Sequence, residues 1–287
     1  MKFLKTLGWL TLYVIIFFAS SVLAGIFLAR LYIILDLFKA NPGPIEVFLA
    51  EKFGLMMIIT GILVTAFGSL TLVARGLNPL KYLEFKLMPF RDVAATLAVG
   101  IGFAFFISSL LTIIRIDSLL PDTVSEEIFT AIAANFPLAL LAVGIVVPFY
   151  EEFLFRGLIF KELQKNSKLW VAIVLQGLLF GIFHLNPLQF SYTFPAGIII
   201  GMVFLRYQSI WAPILIHLGW NSTSTLLSAL LPENTSHGVF GALMLLGAAL
   251  LFAGLYYTYK IRPRPLPEKM PGIYTPEENS QPTIDIC

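Results

Sequence analysis

The sequence predicts an all-α, polytopic membrane protein, and three observations carry that prediction. The first is composition: of 287 residues, 58% are hydrophobic and 13% charged, with a mean hydropathy of +0.86. A soluble domain carries about 25% charged residues. The second is a series of apolar runs close to the ~20 residues a helix needs to cross the hydrocarbon core. The third is the placement of Lys and Arg, which favours alternate connections between those runs.

Eight spans are expected, at about 7–29, 54–74, 93–114, 132–152, 170–186, 194–207, 210–230 and 238–259. Lys2 and Lys5 before an apolar run resemble the start of a signal peptide. The run from Leu7 to Ala29 is too long for a signal h-region and reads as a retained first helix. The sixth span is short. Pro187 and Pro195 bracket the connection before it, which reads as an irregular or re-entrant approach.

With the N-terminus inside, fourteen Lys and Arg fall on inside segments and four on outside segments (Arg30, Lys39, Lys52 and Arg115), with Arg156 set aside as intramembrane. The same alternation places both termini in the cytoplasm, and the acidic stretch Asp117 to Glu127 fits an outer loop. Phe85 to Asp92 reads as lying along the cytoplasmic interface. From Arg262 onward the chain is rich in Pro, Glu and Ser and is expected to be disordered. The organisation is therefore residues 1–85 as the first two helices and a cytoplasmic loop, 86–260 as the core, and 261–287 as a tail. No internal repeat stands out.

A net charge of +2 argues against a nucleic-acid partner. Cys287 is the sole cysteine, so an internal disulfide, a cysteine zinc site and a buried cysteine nucleophile are excluded. A prenylation box needs Cys where Ile284 stands.

The chemistry-bearing residues lie inside the apolar runs. Ionisable groups are costly there, so they face a protein interior or a water-filled cavity and mark function. In Tyr150-Glu151-Glu152-Phe153-Leu154-Phe155-Arg156, Glu152 and Arg156 are four apart on a helix and can touch. Glu151 points about 100° away and is free for a different task. Pro148 removes a backbone bond to the carbonyl of Gly144, so a kink there opens space beside Glu151.

Phe180-Gly181-Ile182-Phe183-His184 comes next. An antiparallel hairpin turning near Asn166 and Ser167 brings His184 to within about one helical turn of the level of Glu151. In His217-Leu218-Gly219-Trp220-Asn221, His and Asn at i and i+4 share a helical face. Taken alone each element has a bland reading: a charged helix end, a structural histidine, interhelical hydrogen-bonding glue. By rise per residue, His217 lies roughly 12 Å from its turn and His184 on the order of 24 Å from its own, a mismatch that tilt or the short sixth helix must absorb.

Glu151-Glu152-xxx-Arg156, Phe180-xxx-His184 and His217-xxx-Asn221 together resemble, in order, the motifs of the CPBP family. That family includes intramembrane CAAX prenyl endopeptidases and bacteriocin-processing or immunity proteins, also called Abi proteins. The resemblance covers about residues 90–230 and leaves out the first two helices. It implies a glutamate-dependent intramembrane protease in a prokaryotic cell membrane. Glu151 and His184 would activate the attacking water. His217 and Asn221 would stabilise the oxyanion, Glu152 and Arg156 would orient the site, and Phe180 would pack within the second motif. Physical chemistry agrees with such roles: water needs a base, and the tetrahedral intermediate needs donors where its charge develops.

Other protease types fit less well. No two Asp lie within spans, and no H-E-x-x-H occurs. A Ser222 or Ser224 dyad with His217 leaves the Glu pair unexplained. Two alternatives stay open: zinc held by Glu151, Glu152, His184 and His217, and a non-catalytic membrane scaffold or immunity factor. The expected activity is peptide-bond hydrolysis with no cofactor, in a site more accessible from the cytoplasmic side. The partners expected are the lipid bilayer and a peptide or protein C-terminus, prenylated or not.

Overall fold

The computed structural model describes residues 2–37, 44–116, 120, 135–232 and 234–261. Ten helices follow in order among them: α1 (Lys2–Asp36), α2 (Ile45–Glu51), α3 (Phe53–Ala74), α4 (Pro79–Tyr82), α5 (Phe90–Ile114), α6 (Phe136–Gln164), α7 (Leu169–Phe183), α8 (Pro187–Tyr207), α9 (Trp211–Leu230) and α10 (His237–Ile261). The expected acidic loop at 117–119 and 121–127, the tail from 262 and Cys287 lie outside the described residues.

All eight expected spans overlap a helix, but six are long and apolar enough to cross a bilayer: α1, α3, α5, α6, α8 and α10. Helix α7 has 15 residues, and α9, with 20, carries His217, Asn221 and a run of hydroxyls. The chain is all-α and polytopic; among the described residues six spans meet the requirement, and the count of eight is not confirmed.

The irregular approach expected between Pro187 and Pro195 is corrected. Helix α8 runs unbroken for 21 residues from Pro187. Proline is tolerated in a first turn, where its missing N–H would have no intrahelical partner. Asn186 caps that turn, its Oδ1 accepting from the Gln189 N–H at 2.9 Å. Pro195 is absorbed within the helix.

Close approaches set the helices that carry the site. A Cβ on Gly100 of α5 would strike the backbone carbonyl of Ile216 on α9. With glycine there, the two backbones touch, as small residues permit in membrane bundles. The residue after that carbonyl is His217, so α5 fixes its position.

One end of the bundle is closed by polar contacts. Glu162 on α6 pairs with Arg75 at 2.6 Å and Lys165 at 2.7 Å. Arg75 also donates to the Tyr13 hydroxyl at 2.7 Å and lies over the Trp9 ring. Lys161 donates to the Tyr82 carbonyl, and Asn166 to the Thr6 hydroxyl at 2.6 Å. Burial lowers the pKa of the Lys165 ammonium, against the attraction of Glu162. Residues 152–164 are buried without interruption, so this basic end is plugged.

Candidate active site

The Glu pair stands in the middle of α6, where the helix is irregular. Two π-helical stretches, Leu140–Val146 and Phe153–Ile159, flank the α-helical Val147–Glu152. Such widened turns occur often at functional sites. Pro148 supplies a local cause: it has no N–H for the carbonyls one turn back. Side chains of α9 fill the deficit. The Asn221 amide donates to the Val143 carbonyl at 3.1 Å, and the Ser222 hydroxyl to the Gly144 carbonyl at 3.0 Å. The carbonyl that the sequence marked as released is thus re-satisfied from a neighbouring helix.

The two acids then diverge. Glu152 is fully buried, and its Oε1 accepts from Arg156 at 2.7 Å and faces His217 Nδ1 at 2.9 Å. Because a carboxylate only accepts, Nδ1 carries a proton and Nε2 is turned toward Glu151. Glu151 Oε2 lies 3.9 Å from that nitrogen, beyond hydrogen-bonding distance, and the side chain keeps 15% of its surface exposed. Glu151 Oε2 and Glu152 Oε2 have no hydrogen-bond partner among the described residues.

Phe180 is the hub. Its ring meets His184 at 5.0 Å and His217 at 5.6 Å, edge to face, and Arg156 lies over it at 4.7 Å. Phe155 touches both Phe180 and Phe183. One turn before Phe155 is Glu151 and one turn after Phe180 is His184, so the hairpin brings these two to similar levels as the sequence spacing suggested. The two imidazoles contact one phenyl ring from two helices. His184 Nδ1 lies 2.8 Å from the Phe180 carbonyl, so it bears the proton there and leaves the Nε2 lone pair free.

All six singled-out residues therefore have defined places. Glu151, Glu152, Arg156, His184 and His217 gather around Phe180, while Asn221, one turn beyond His217, faces the broken part of α6. Sequence reasoning missed Gln176 and Gly197. The Gly197 carbonyl accepts from both Arg156 Nη2 (3.0 Å) and Gln176 Nε2 (2.8 Å), which ties α6, α7 and α8 together. A buried glutamine inside an apolar run was a visible signal; a backbone carbonyl leaves none. Ser222, weighed as a nucleophile, instead spends its proton on Gly144.

The zinc set fits poorly. Glu152 Oε1 is already shared by Arg156 and His217. Among the described residues no three His, Cys, Asp or Glu side chains are grouped to hold a metal ion.

Comparison with known proteins agrees with this geometry. Residues 133–223, which carry all three motifs, match the family described as type II CAAX prenyl endopeptidase Rce1-like. The chain is also 30% identical over 86 residues to a Bacillus subtilis (strain 168) protein named "Putative membrane peptidase YdiL". That similarity covers 30% of this chain and 35% of the relative, so the chain spans about a third of the relative's length. No solved structure matches. The resemblance to the CPBP family is borne out on α6 to α9. It is narrower than the expected 90–230, since α5 falls outside the matched segment.

Proposed function

We propose that the chain is a membrane-embedded endopeptidase that hydrolyses peptide bonds with an activated water and forms no covalent intermediate. Glu151 and the free Nε2 of His184 take the proton of the water as its oxygen attacks the peptide carbonyl. His217, as an imidazolium backed by Glu152, donates to the developing oxyanion, and the second amide hydrogen of Asn221 joins it. Arg156 holds Glu152 in place through their 2.7 Å contact. The C–N bond breaks as the leaving nitrogen receives the proton. Substrates are peptides or protein C-termini, prenylated or not; no metal takes part, and both termini lie on the cytoplasmic face.

One observation carries the reading: adjacent carboxylates on a fractured helix, one locked to Arg156 and His217, the other left facing His217 Nε2 across 3.9 Å. The test is cleavage of a peptide library by the purified protein in nanodiscs, beside Glu151→Gln, with and without chelator. Wild-type cleavage indifferent to chelator, falling at least ~10²-fold in the variant, is the expected result. Equal activity of the variant, or loss in chelator restored by zinc, contradicts it.

A further inference from the structure

On α7, Gln176 stands one turn before Phe180 and two turns before His184, on the same helical face. It is fully buried in an otherwise apolar run. Both hydrogens of its amide are used: Nε2 donates to the Ile173 carbonyl at 2.9 Å and to the Gly197 carbonyl of α8 at 2.8 Å. The polarity of the group is thereby fixed, because a flipped amide would set an oxygen against two carbonyl oxygens, and neither of those can donate. Gln176 Oε1 has no hydrogen-bond partner among the described residues. Burying such an oxygen is costly, and a leucine would strand none. What distinguishes glutamine from leucine in this place is its pair of donors.

Two glycines of α8 make room for the amide. A Cβ on Gly201 would stand 2.6 Å from Gln176 Nε2, and one on Gly197 would stand 2.9 Å from the Gly177 Cα and 3.3 Å from the Phe180 ring. The Gly197 carbonyl also receives Arg156 Nη2 at 3.0 Å. A guanidinium is planar and rigid. Its plane is set here by Gly197 at Nη2, by Glu152 at Nη1 and by the Phe180 ring at 4.7 Å. Glu152 Oε1 in turn meets His217 Nδ1 at 2.9 Å. An unbroken line of polar contacts therefore joins Gln176 to His217 through Gly197, Arg156 and Glu152, and it crosses α7, α8, α6 and α9.

We infer that Gln176 is a positioning residue of the peptidase: its amide holds the Gly197 carbonyl against Arg156, and through Arg156 and Glu152 it orients His217. The inference rests on the peptidase reading and deepens it. Gln176 is buried behind Gly197 and acts through Arg156 rather than on the reacting atoms. The interaction it orients is the one His217 makes as the oxyanion develops, so the effect falls on kcat and leaves KM unchanged.

The test measures cleavage by Gln176→Glu, Gln176→Leu and Gly201→Ala in nanodiscs, with kcat scaled to folded protein. The same variants, labelled on histidine, are followed by NMR; the chain has 3 histidines, and the His217 signals are assigned with His217→Ala. Gln176→Glu turns an acceptor toward Gly197 and draws Arg156 from Glu152. Its kcat falls about tenfold or more at unchanged KM, and the His217 signals move while those of His237 stay. Gln176→Leu removes the donors without adding a charge and lowers kcat about threefold or more. Gly201→Ala displaces the amide with Gln176 itself intact. Alanine favours the helix, so melting is held while kcat falls about threefold or more. Should Gln176→Glu fail to fold, Gly201→Ala decides by the same readings. Unchanged kcat per folded molecule, with melting alone altered, makes Gln176 a helix-packing residue and overturns the inference. Lowered kcat with unmoved His217 signals overturns the path through Arg156 and Glu152. A wild type that cleaves nothing, while the His217 signals still follow Gln176, overturns the peptidase reading and leaves the orientation of His217 by Gln176 standing; signals that also stay unmoved overturn both.

Discussion

Glu151 and Glu152 are neighbours in sequence and live in different surroundings. Glu152 belongs to the closed half of α6. It is fully buried and shares one oxygen between Arg156 and His217. Glu151 belongs to the fractured half, where carbonyls are borrowed by Asn221 and Ser222 and the side chain keeps some exposure. The difference teaches that a single 100° step around a helix separates a buried acid paired with Arg156 and His217 from one that stays partly exposed and outside hydrogen-bonding distance of His217.

The comparison can be broken experimentally, beginning with the closed half. Glu152→Ala strands the Arg156 guanidinium in the interior and is expected to cost about 3–5 kcal/mol of stability, with loss of activity. The double variant Glu152→Leu/Arg156→Leu removes both charges, so melting should recover while cleavage does not; recovery of cleavage would deny Glu152 its orienting task. Next, His184→Ala should reduce the cleavage rate by about 10²-fold or more with little change in melting, since its ring nitrogen meets the Phe180 carbonyl one turn back on its own helix.

Gln176→Leu comes third. It leaves the Gly197 carbonyl to Arg156 alone, and a loss of about 1–3 kcal/mol is expected in denaturant titrations. The smallest effect should come from Ser222→Ala, which unpairs the Gly144 carbonyl at a cost of about 1 kcal/mol. Abolished cleavage with wild-type melting in that variant would instead restore serine chemistry.

Much of this division was legible in the sequence. The i, i+4 spacing foretold that Glu152 would meet Arg156. Pro148 foretold the released Gly144 carbonyl, and the hairpin count brought His184 toward Glu151. What was hidden depends on tertiary contact. In the π turns at Leu140–Val146, α9 supplies Asn221 and Ser222 to the Val143 and Gly144 carbonyls, and local pattern does not report that. The Arg156–Gly197–Gln176 junction passes through a backbone oxygen. The start of α8 was misplaced because Pro187 and Pro195 look alike on paper, whereas one opens a helix and the other is carried inside it. The span count differed because α7 is short and α9 trades apolar residues for His217, Asn221 and a run of hydroxyls.

The most direct measurement pairs kcat and melting temperature for Glu151→Gln in nanodiscs. Catalysis should fall at least ~10²-fold while the melting temperature stays at the wild-type value. A variant that cleaves normally, or one whose lost activity is matched by unfolding, would contradict the assignment of Glu151 as the reactive acid.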